Sequence, residues 1–369
     1  METVLITGGA GFIGRHVTQR LLGRGYKVRI LDPLIEQVHQ GQRPADLSAD
    51  AELIIGDVRD GTALERALSG CDAVIHLAAE VGVGQSMYAV ERYVSVNDLG
   101  TAALFQALIN RDIRRVVVAS SMSIYGEGLY RTADGQLIEN AVRLPRVSAA
   151  DGWDPLDDQG LPLIPVPTPE WKQPSLASVY ALTKYVQEQL TLTLSSAYGM
   201  EGVALRLFNV YGPGQALSNP YTGVLAIFAS RLLNGQRPLI FEDGNQRRDF
   251  VHVDDVARAF AMALEEPAAA GQVFNVGSGH DRSILEIGTL LAEAMGRPEL
   301  SPETVGKARA GDIRHCFCDA TKARDALGFT AQKDFTQGLA ELAEWVARQT
   351  AQDRVEQARR ELEQRGLVA

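Results

Sequence analysis

Thr7-Gly8-Gly9-Ala10-Gly11-Phe12-Ile13-Gly14 follows a short apolar run, Thr3-Val4-Leu5-Ile6-Thr7, and opens a helical pattern from about Phe12 to Leu22. The order of strand, glycine turn and helix decides the fold. Glycines at 8, 11 and 14 stand where the chain must bend tightly, where backbone must approach a pyrophosphate, and where the helix must pack closely on the strand. The helix N-terminus offers free N–H groups and the positive end of its dipole to phosphate oxygens. Gly8, Gly11, Phe12, Ile13 and Gly14 are therefore candidate cofactor-binding residues.

The next strand, Lys27 to Leu31, ends in Asp32. A carboxylate about 20 residues beyond the glycines reaches the adenosine ribose hydroxyls. Pro33 and Leu34 follow, so a 2′-phosphate would meet a carboxylate without a cation, and NAD is expected over NADP. Leu53-Ile54-Ile55-Gly56-Asp57-Val58 places Asp57 and Val58 where an adenine is read. Ala73-Val74-Ile75-His76-Leu77-Ala78-Ala79 ends in Leu77, Ala78 and Ala79, which let the cofactor lie against backbone, with His76 read as a packed strand-end residue. Asn97, on the following helix, is assigned to the cofactor side as a holder of backbone near the site.

Residues 1–120 alternate short apolar runs with helical patterns, the mark of βαβ units. The expected architecture is α/β, a Rossmann-type doubly wound parallel sheet over residues 1–212. A smaller C-terminal α/β substrate domain, mainly 213–345, is partly interleaved with the first. Residues 346–369 read as a charged, solvated terminal helix. The stretch from Gly126 to Pro174 fits no regular helix, and Ala133-Asp134-Gly135 and Asp158-Gln159-Gly160 read as hairpin turns. A net charge of −10 argues against nucleic-acid binding. No apolar run approaches about 18 residues, so no membrane span is expected, and a strand begins too early for a leader peptide, which makes the cytoplasm the expected compartment. Three cysteines and six histidines are too scattered for a disulfide framework or a metal site. Alternation points Cys316 and Cys318 to one face of a strand.

Ala119-Ser120-Ser121-Met122-Ser123-Ile124-Tyr125-Gly126 follows a buried strand at its ligand-facing end. Ser120 is placed beside the cofactor, and the Ser121 hydroxyl can orient a substrate alcohol. Further on, Tyr180-Ala181-Leu182-Thr183-Lys184 sets a phenol and an ammonium on one helical face. A phenol is normally protonated at neutral pH. A nearby ammonium and a cationic nicotinamide ring favour the phenolate, which then removes the alcohol proton as hydride leaves. Lys184 has a second task available, holding the nicotinamide ribose.

With these motifs in this order, the chain resembles the extended short-chain dehydrogenase/reductases, in their NAD-dependent epimerase/dehydratase branch, over about residues 1–345. The resemblance implies that Ser121, Tyr180 and Lys184 are catalytic. It implies that Asn209, in Leu207-Phe208-Asn209-Val210-Tyr211-Gly212-Pro213, contacts the diphosphate of a nucleotide-sugar substrate, and that Arg248 binds phosphate. It implies as well that Arg309 and Asp312 hold the diphosphate and the nucleoside ribose. An Arg fork suits phosphate oxygens and a carboxylate suits ribose hydroxyls. Phe250 reads equally as a base-stacking ring or a core aromatic.

Relatives that dehydrate at C4–C6 carry an Asp-Glu pair just after the catalytic hydroxyl, where this chain has Met122 and Ser123. Neither side chain can protonate a leaving hydroxyl, so the expectation is C4 oxidation to a 4-keto sugar and re-reduction on the other face. The 120–128 stretch and the 216–224 stretch, which ends in Val224, resemble 4-epimerases acting on dTDP-linked 6-deoxyhexoses. Met122, Ser123 and Val224 are placed against the substrate. A net dehydrogenase or reductase at C4, a UDP-glucose 4-epimerase, and a non-catalytic NAD sensor remain as alternatives. A homodimer through helices near 93–111 and 178–197 is a family expectation. The spacer from Ser121 to Tyr180 is longer than usual, so residues 127–175 read as an insertion bordering the sugar pocket. They contain no cysteine pair that would hold a metal.

Overall fold

The computed structural model describes residues 2–143, 152–309, 311–351, 353 and 355–368. Parts of the 127–175 insertion and of the 346–369 segment thus lie outside the described residues. Seven strands form the main sheet: β1 (Thr3–Thr7), β2 (Lys27–Asp32), β3 (Glu52–Ile55), β4 (Ala73–His76), β5 (Arg115–Ser121), β6 (Glu201–Leu207) and β7 (Val273–Val276). All pair parallel, in the order β3-β2-β1-β4-β5-β6-β7. The order reverses between β1 and β4, and a ligand crevice opens at the carboxyl ends on either side of such a point. Register brings those ends level, with Thr7 opposite both Leu31 and His76, and Ser121 opposite Leu207.

Covering on both faces explains the apolar runs. A parallel sheet buried on both sides needs hydrophobic residues at successive positions, not alternate ones. Val4 and Ile6 face one core with Val17 and Leu21 of the Phe12–Gly23 helix and Val256, Phe260 and Leu264 of the Val253–Glu265 helix. Leu5, Val74 and Val116 face the other core with Leu64 and Leu68 of the Gly61–Leu68 helix and Leu104 and Phe105 of the Gly100–Leu108 helix. The chain thus returns to the sheet after residue 213, through the Val253–Glu265 helix and β7. A second lobe is built from the Val224–Leu233, Ile284–Ala294 and Phe335–Val346 helices around Phe228, Ile287, Leu291 and Leu342.

The insertion folds into a small sheet in which Leu129–Arg131 pairs antiparallel with both Leu137–Ile138 and Ile164–Val166. Its first turn runs through Gly135, and a second, through Gly160, is closed by a bridge between Leu156 and Pro162. Buried Thr168 bridges Cys318, and Lys172 Nζ donates to the Tyr125 carbonyl at 2.8 Å. Cys316 and Cys318 are buried free thiols in one apolar cluster beneath it. Among the described residues, no helix is long and apolar enough to cross a membrane.

The glycine turn leaves no room for side chains. A Cβ on Gly14 would lie 2.5 Å from Gly9 Cα and 2.6 Å from Gly9 O, both backbone atoms. Gly14→Ala must lever the helix off the Gly8–Gly9 turn, at a cost of about 1–3 kcal/mol. It is expected to lower the denaturation midpoint and to strip cofactor from the purified protein, read by the 260/280 nm absorbance ratio; a variant that keeps both would contradict the close packing.

Candidate active site

A cavity of about 650 Å³ opens between the lobes. The first lobe lines it with Gly8, Gly11, Phe12, Ile13, Gly14, Asp32, Asp57, Val58, Leu77, Ala78 and Ala79. Ser120, Ser121, Met122, Ser123, Tyr180 and Lys184 line it too, as do Asn209, Val224, Arg248, Arg309 and Asp312. The sheet ends and the second lobe thus place nearly every residue singled out by sequence around one space.

At the glycine turn, Gly8 has φ +68°, and a Cβ there would lie 2.8 Å from Ala78 N. Only glycine lets the β1 turn rest on the exit of β4 while leaving the cavity side free for phosphate. Asp32 accepts from Ala10 N at 3.1 Å and from Leu34 N at 2.9 Å. It therefore fixes the glycine loop as well as lining the cavity. His39 lies 3.5 Å from Asp32, and burial lowers its pKa, so it brings little positive charge to a 2′-phosphate. Asp57 is held below the usual carboxylate range by its hydrogen bonds from Arg59. The bare cradle, the helix N-terminus and the near-isolated carboxylate fit NAD.

Asn97, assigned to the cofactor side as a holder of backbone, does not itself line the cavity. It sits fully buried where the helix widens into a π turn, Val94–Leu99. Its oxygen accepts from Glu80 N at 2.7 Å, and its amide donates to Thr183 Oγ1 at 2.9 Å. Asn97 thus pins the segment after β4 to the helix that carries Tyr180 and Lys184. Ser120 also looks backward. Its hydroxyl donates to Glu188 at 2.6 Å, and Glu188 pairs with buried Arg206 at 2.7 Å.

The Val179–Ala197 helix starts where it does because the Ser178 hydroxyl accepts from Ala181 N at 3.1 Å. Ser86 Oγ accepts from Tyr180 N at 3.0 Å, which seats the first turn against the loop after β4. Burial pushes the Tyr180 phenol up, and the Ser121 hydroxyl pulls it back. Ser121 also accepts from Ser123 N at 3.1 Å, so its oxygen is held at the mouth of β5. Burial brings the Lys184 ammonium down to about 7, against the raising effect of Glu188. Lys184 Nζ donates to Gln187 Oε1 at 2.7 Å. The Gln187 amide in turn reaches Thr101 Oγ1 at 2.9 Å and Ala78 O at 3.2 Å. His76 is a strand-end residue in this network, held neutral by burial and bonded to Thr7 Oγ1 at 2.7 Å.

On the second lobe, the Asn209 side-chain oxygen is buried without a protein partner. The Val224–Leu233 helix begins at Gly223 with no side-chain cap, so its first N–H groups are free for an anion. Arg248 is held by the carbonyls of Arg247, Ile313 and Arg314. Arg309 donates to Asp312 at 2.8 Å and lies over the Phe241 ring, 4.5 Å from its centroid. Phe250 is a core ring packed on Phe335 that also reaches the cavity. Phe241 is the aromatic that sequence reasoning missed, because it follows a strand of only two residues, Leu239–Ile240, with no periodicity to read.

Two expectations exchange places. None of the described residues of the 127–175 insertion lines the cavity; its Arg143 instead pairs with Glu242 and donates to the Asp312 carbonyl at 3.2 Å, behind the wall. The terminal segment, expected to be solvated, supplies Val355, Ala358, Arg359 and Leu362 to the cavity. Elsewhere, His252, Asp254 and Glu341 come together at metal-ligand spacing. Lys333 Nζ already takes both Glu341 oxygens, at 2.8 and 3.0 Å, and supplies the positive charge there.

The buried lysine yields a test. Lys184 binds fewer protons folded than unfolded between about pH 7 and its ordinary pKa of 10.5. Wild-type stability therefore climbs with pH across that window, and the penalty is complete below it. Lys184→Met removes the term, so the melting-temperature difference between variant and wild type is expected to favour the variant most at pH 6–7 and to fall steadily toward pH 10. A difference independent of pH would mean that Lys184 is not desolvated.

Known proteins fit this geometry. The model of the NAD dependent epimerase/dehydratase family matches residues 4–142 and 163–277. A dTDP-L-rhamnose 4-epimerase of Burkholderia thailandensis is 38% identical over 94% of this chain and 96% of its own length. A putative UDP-glucose 4-epimerase of Methanocaldococcus jannaschii is 32% identical over 93% and 98%. Among solved structures, UDP-glucose 4-epimerase of Thermotoga maritima with UDP-glucose superposes with a TM-score of 0.76 at 30% identity, covering 94% of this chain and 98% of that one. By its sheet, its cofactor cradle and these likenesses, the chain belongs to the NAD-dependent epimerase/dehydratase family of enzymes and uses NAD as its cofactor.

Proposed function

We propose that the protein is a nucleotide-sugar 4-epimerase whose substrate is a dTDP-linked 6-deoxyhexose. One observation carries the reading: a single cavity joins the glycine cradle, the Ser121–Tyr180–Lys184 set and the Arg248, Arg309 and Asp312 cluster. The likeness to an enzyme named for dTDP-L-rhamnose supports the sugar class. Met122, an apolar side chain on the cavity wall, suits a hexose without a 6-hydroxyl.

NAD⁺, when bound, supplies the acceptor for the C4 hydride and, once reduced, its donor. The rest falls to the chain. Arg248 and Arg309 bind the diphosphate by charge-assisted hydrogen bonds, and Asp312 takes the ribose hydroxyls. Ser121 donates to the C4 oxygen. Tyr180 acts as phenolate, removing the C4 hydroxyl proton as the ketone forms and returning it after the sugar has turned over. Lys184, one turn on, favours that phenolate through its charge. No net oxidation results, so the cofactor stays in place between turnovers. A homodimer through the two predicted helices is supported by the exposed apolar residues Val94, Leu99 and Leu182 on them.

The reaction is tested by incubating purified protein with dTDP-L-rhamnose and with UDP-glucose separately, without added NAD, and following C4 stereochemistry by NMR. The dTDP sugar is expected to convert to its C4 epimer, and Tyr180→Phe to lose at least about 100-fold in turnover while keeping its NAD. Conversion of UDP-glucose alone would move the substrate class, and net NADH formation only with added NAD⁺ would replace the epimerase by a dehydrogenase. Leu99→Glu is expected to shift the light-scattering mass of the protein from dimer to monomer; an unchanged mass would remove this interface.

A further inference from the structure

The 355–364 helix is charged along most of its length, yet it is not a free appendage. Ala358 and Leu362, one turn apart, are buried, and both line the cavity. A Cβ placed on Gly84 would lie 3.5 Å from both Leu362 methyls, an ordinary van der Waals distance, so Leu362 packs directly against the segment after β4. The next residue back, Glu361, meets both lobes at once. Its Oε2 lies 3.1 Å from the phenol oxygen of Tyr88, on the first lobe, and 3.2 Å from that of Tyr221, on the second. The two phenol oxygens are 2.6 Å apart. Arg365 stacks over the Tyr88 ring at 4.3 Å, Glu363 pairs with Lys307 at 3.2 Å, and Val368 bridges Arg309.

We propose that this helix is the outer wall and lid of the sugar-nucleotide site, latched by Glu361 across Tyr88 and Tyr221, and that it retains the 4-keto intermediate while the sugar turns. The inference rests on the epimerase reading. Its attachment is strong enough to close and weak enough to open. The apolar side chains that it buries are only Ala358 and Leu362 among the described residues. Its ion pairs, such as Glu363 with Lys307, are exposed to solvent and hold it weakly. A helix of 10 residues is marginal without its packing surface, so its release is a local opening and not global unfolding. Retention matters because the intermediate is held by no covalent bond. If the ketone leaves before re-reduction, the C4 hydride stays on the cofactor as NADH, the hydroxyl proton has passed through Tyr180, and the enzyme is stranded in its reduced form.

The measurement uses the full-length, NAD-loaded protein and dTDP-L-rhamnose, with UDP-glucose as the second donor. Absorbance at 340 nm and free keto sugar are followed during turnover for wild type, Glu361→Ala and Leu362→Ala. Wild type is expected to epimerise with no lasting NADH. Both variants are expected to accumulate NADH and released ketone, to lose activity turnover by turnover, and to recover when the 4-keto nucleotide sugar is added back. Variants that turn over without NADH accumulation, at wild-type KM, overturn the lid while leaving the epimerase reading intact. A wild type that epimerises neither donor sinks that reading, and the lid with it.

Discussion

The Val179–Ala197 helix must sit against the ends of β4 and β5, and a set of fully buried amides and hydroxyls holds it there. Gln187 is central. It accepts from Lys184 and donates to Thr101 and to the Ala78 carbonyl, so one side chain ties the lysine to a strand end that lines the cavity. Asn97 adds the tie from Glu80 to Thr183, and Ser86 that to Tyr180 N. Buried polar groups are costly when unpaired and rigid when fully paired. This network is mostly paired, which fixes where the phenol stands relative to the Ser121 hydroxyl without any residue touching substrate. Behind it, the Glu188–Arg206 pair is closed by Ser120 and by Tyr125, whose hydroxyl lies 2.9 Å from Arg206. Removing one partner of such a pair leaves a bare buried charge, at about 3–5 kcal/mol.

What was legible in the sequence was what is local. The glycine turn, the carboxylate at the end of β2 and the Tyr180 to Lys184 spacing each specify geometry within a few residues, and the parallel sheet follows from their order. What was not legible depends on direction in space. A long spacer shows that residues 127–175 are extra but not which way they fold, and Arg143, among the described ones, lies behind the Asp312 wall. The charged composition of residues 351–365 suggested a solvated helix, although Ala358 and Leu362, at positions four apart, suffice to dock one face. Asn97 shows the same limit, because residue type does not separate a group that touches a ligand from one that holds its wall. Phe250 and Phe241 show it again. The first lies in a readable strand and is mostly core, while the second follows two strand residues and carries the Arg309 guanidinium on its face.

The distribution of polar groups in the cavity suits a reaction in which one part of the substrate stays and another turns. Arg248, Arg309, Asp312 and the open N-terminus of the Val224–Leu233 helix are fixed donors and acceptors, each oriented by neighbours on the second lobe. They suit a nucleoside diphosphate that does not move. On the remaining wall, Met122, Val83, Ala358 and Leu362 add apolar surface between polar groups such as Ser123 and Arg359. A sugar ring rotating past apolar side chains leaves no buried donor or acceptor stranded midway, whereas a wall of hydrogen-bonding groups would hold one face and raise the barrier to the other. On the proposed reaction, the weak grip that permits turning also lets the ketone escape. On the proposed function and lid, the two demands would be met separately, with the anchors setting affinity through the nucleotide and the terminal helix closing over the site.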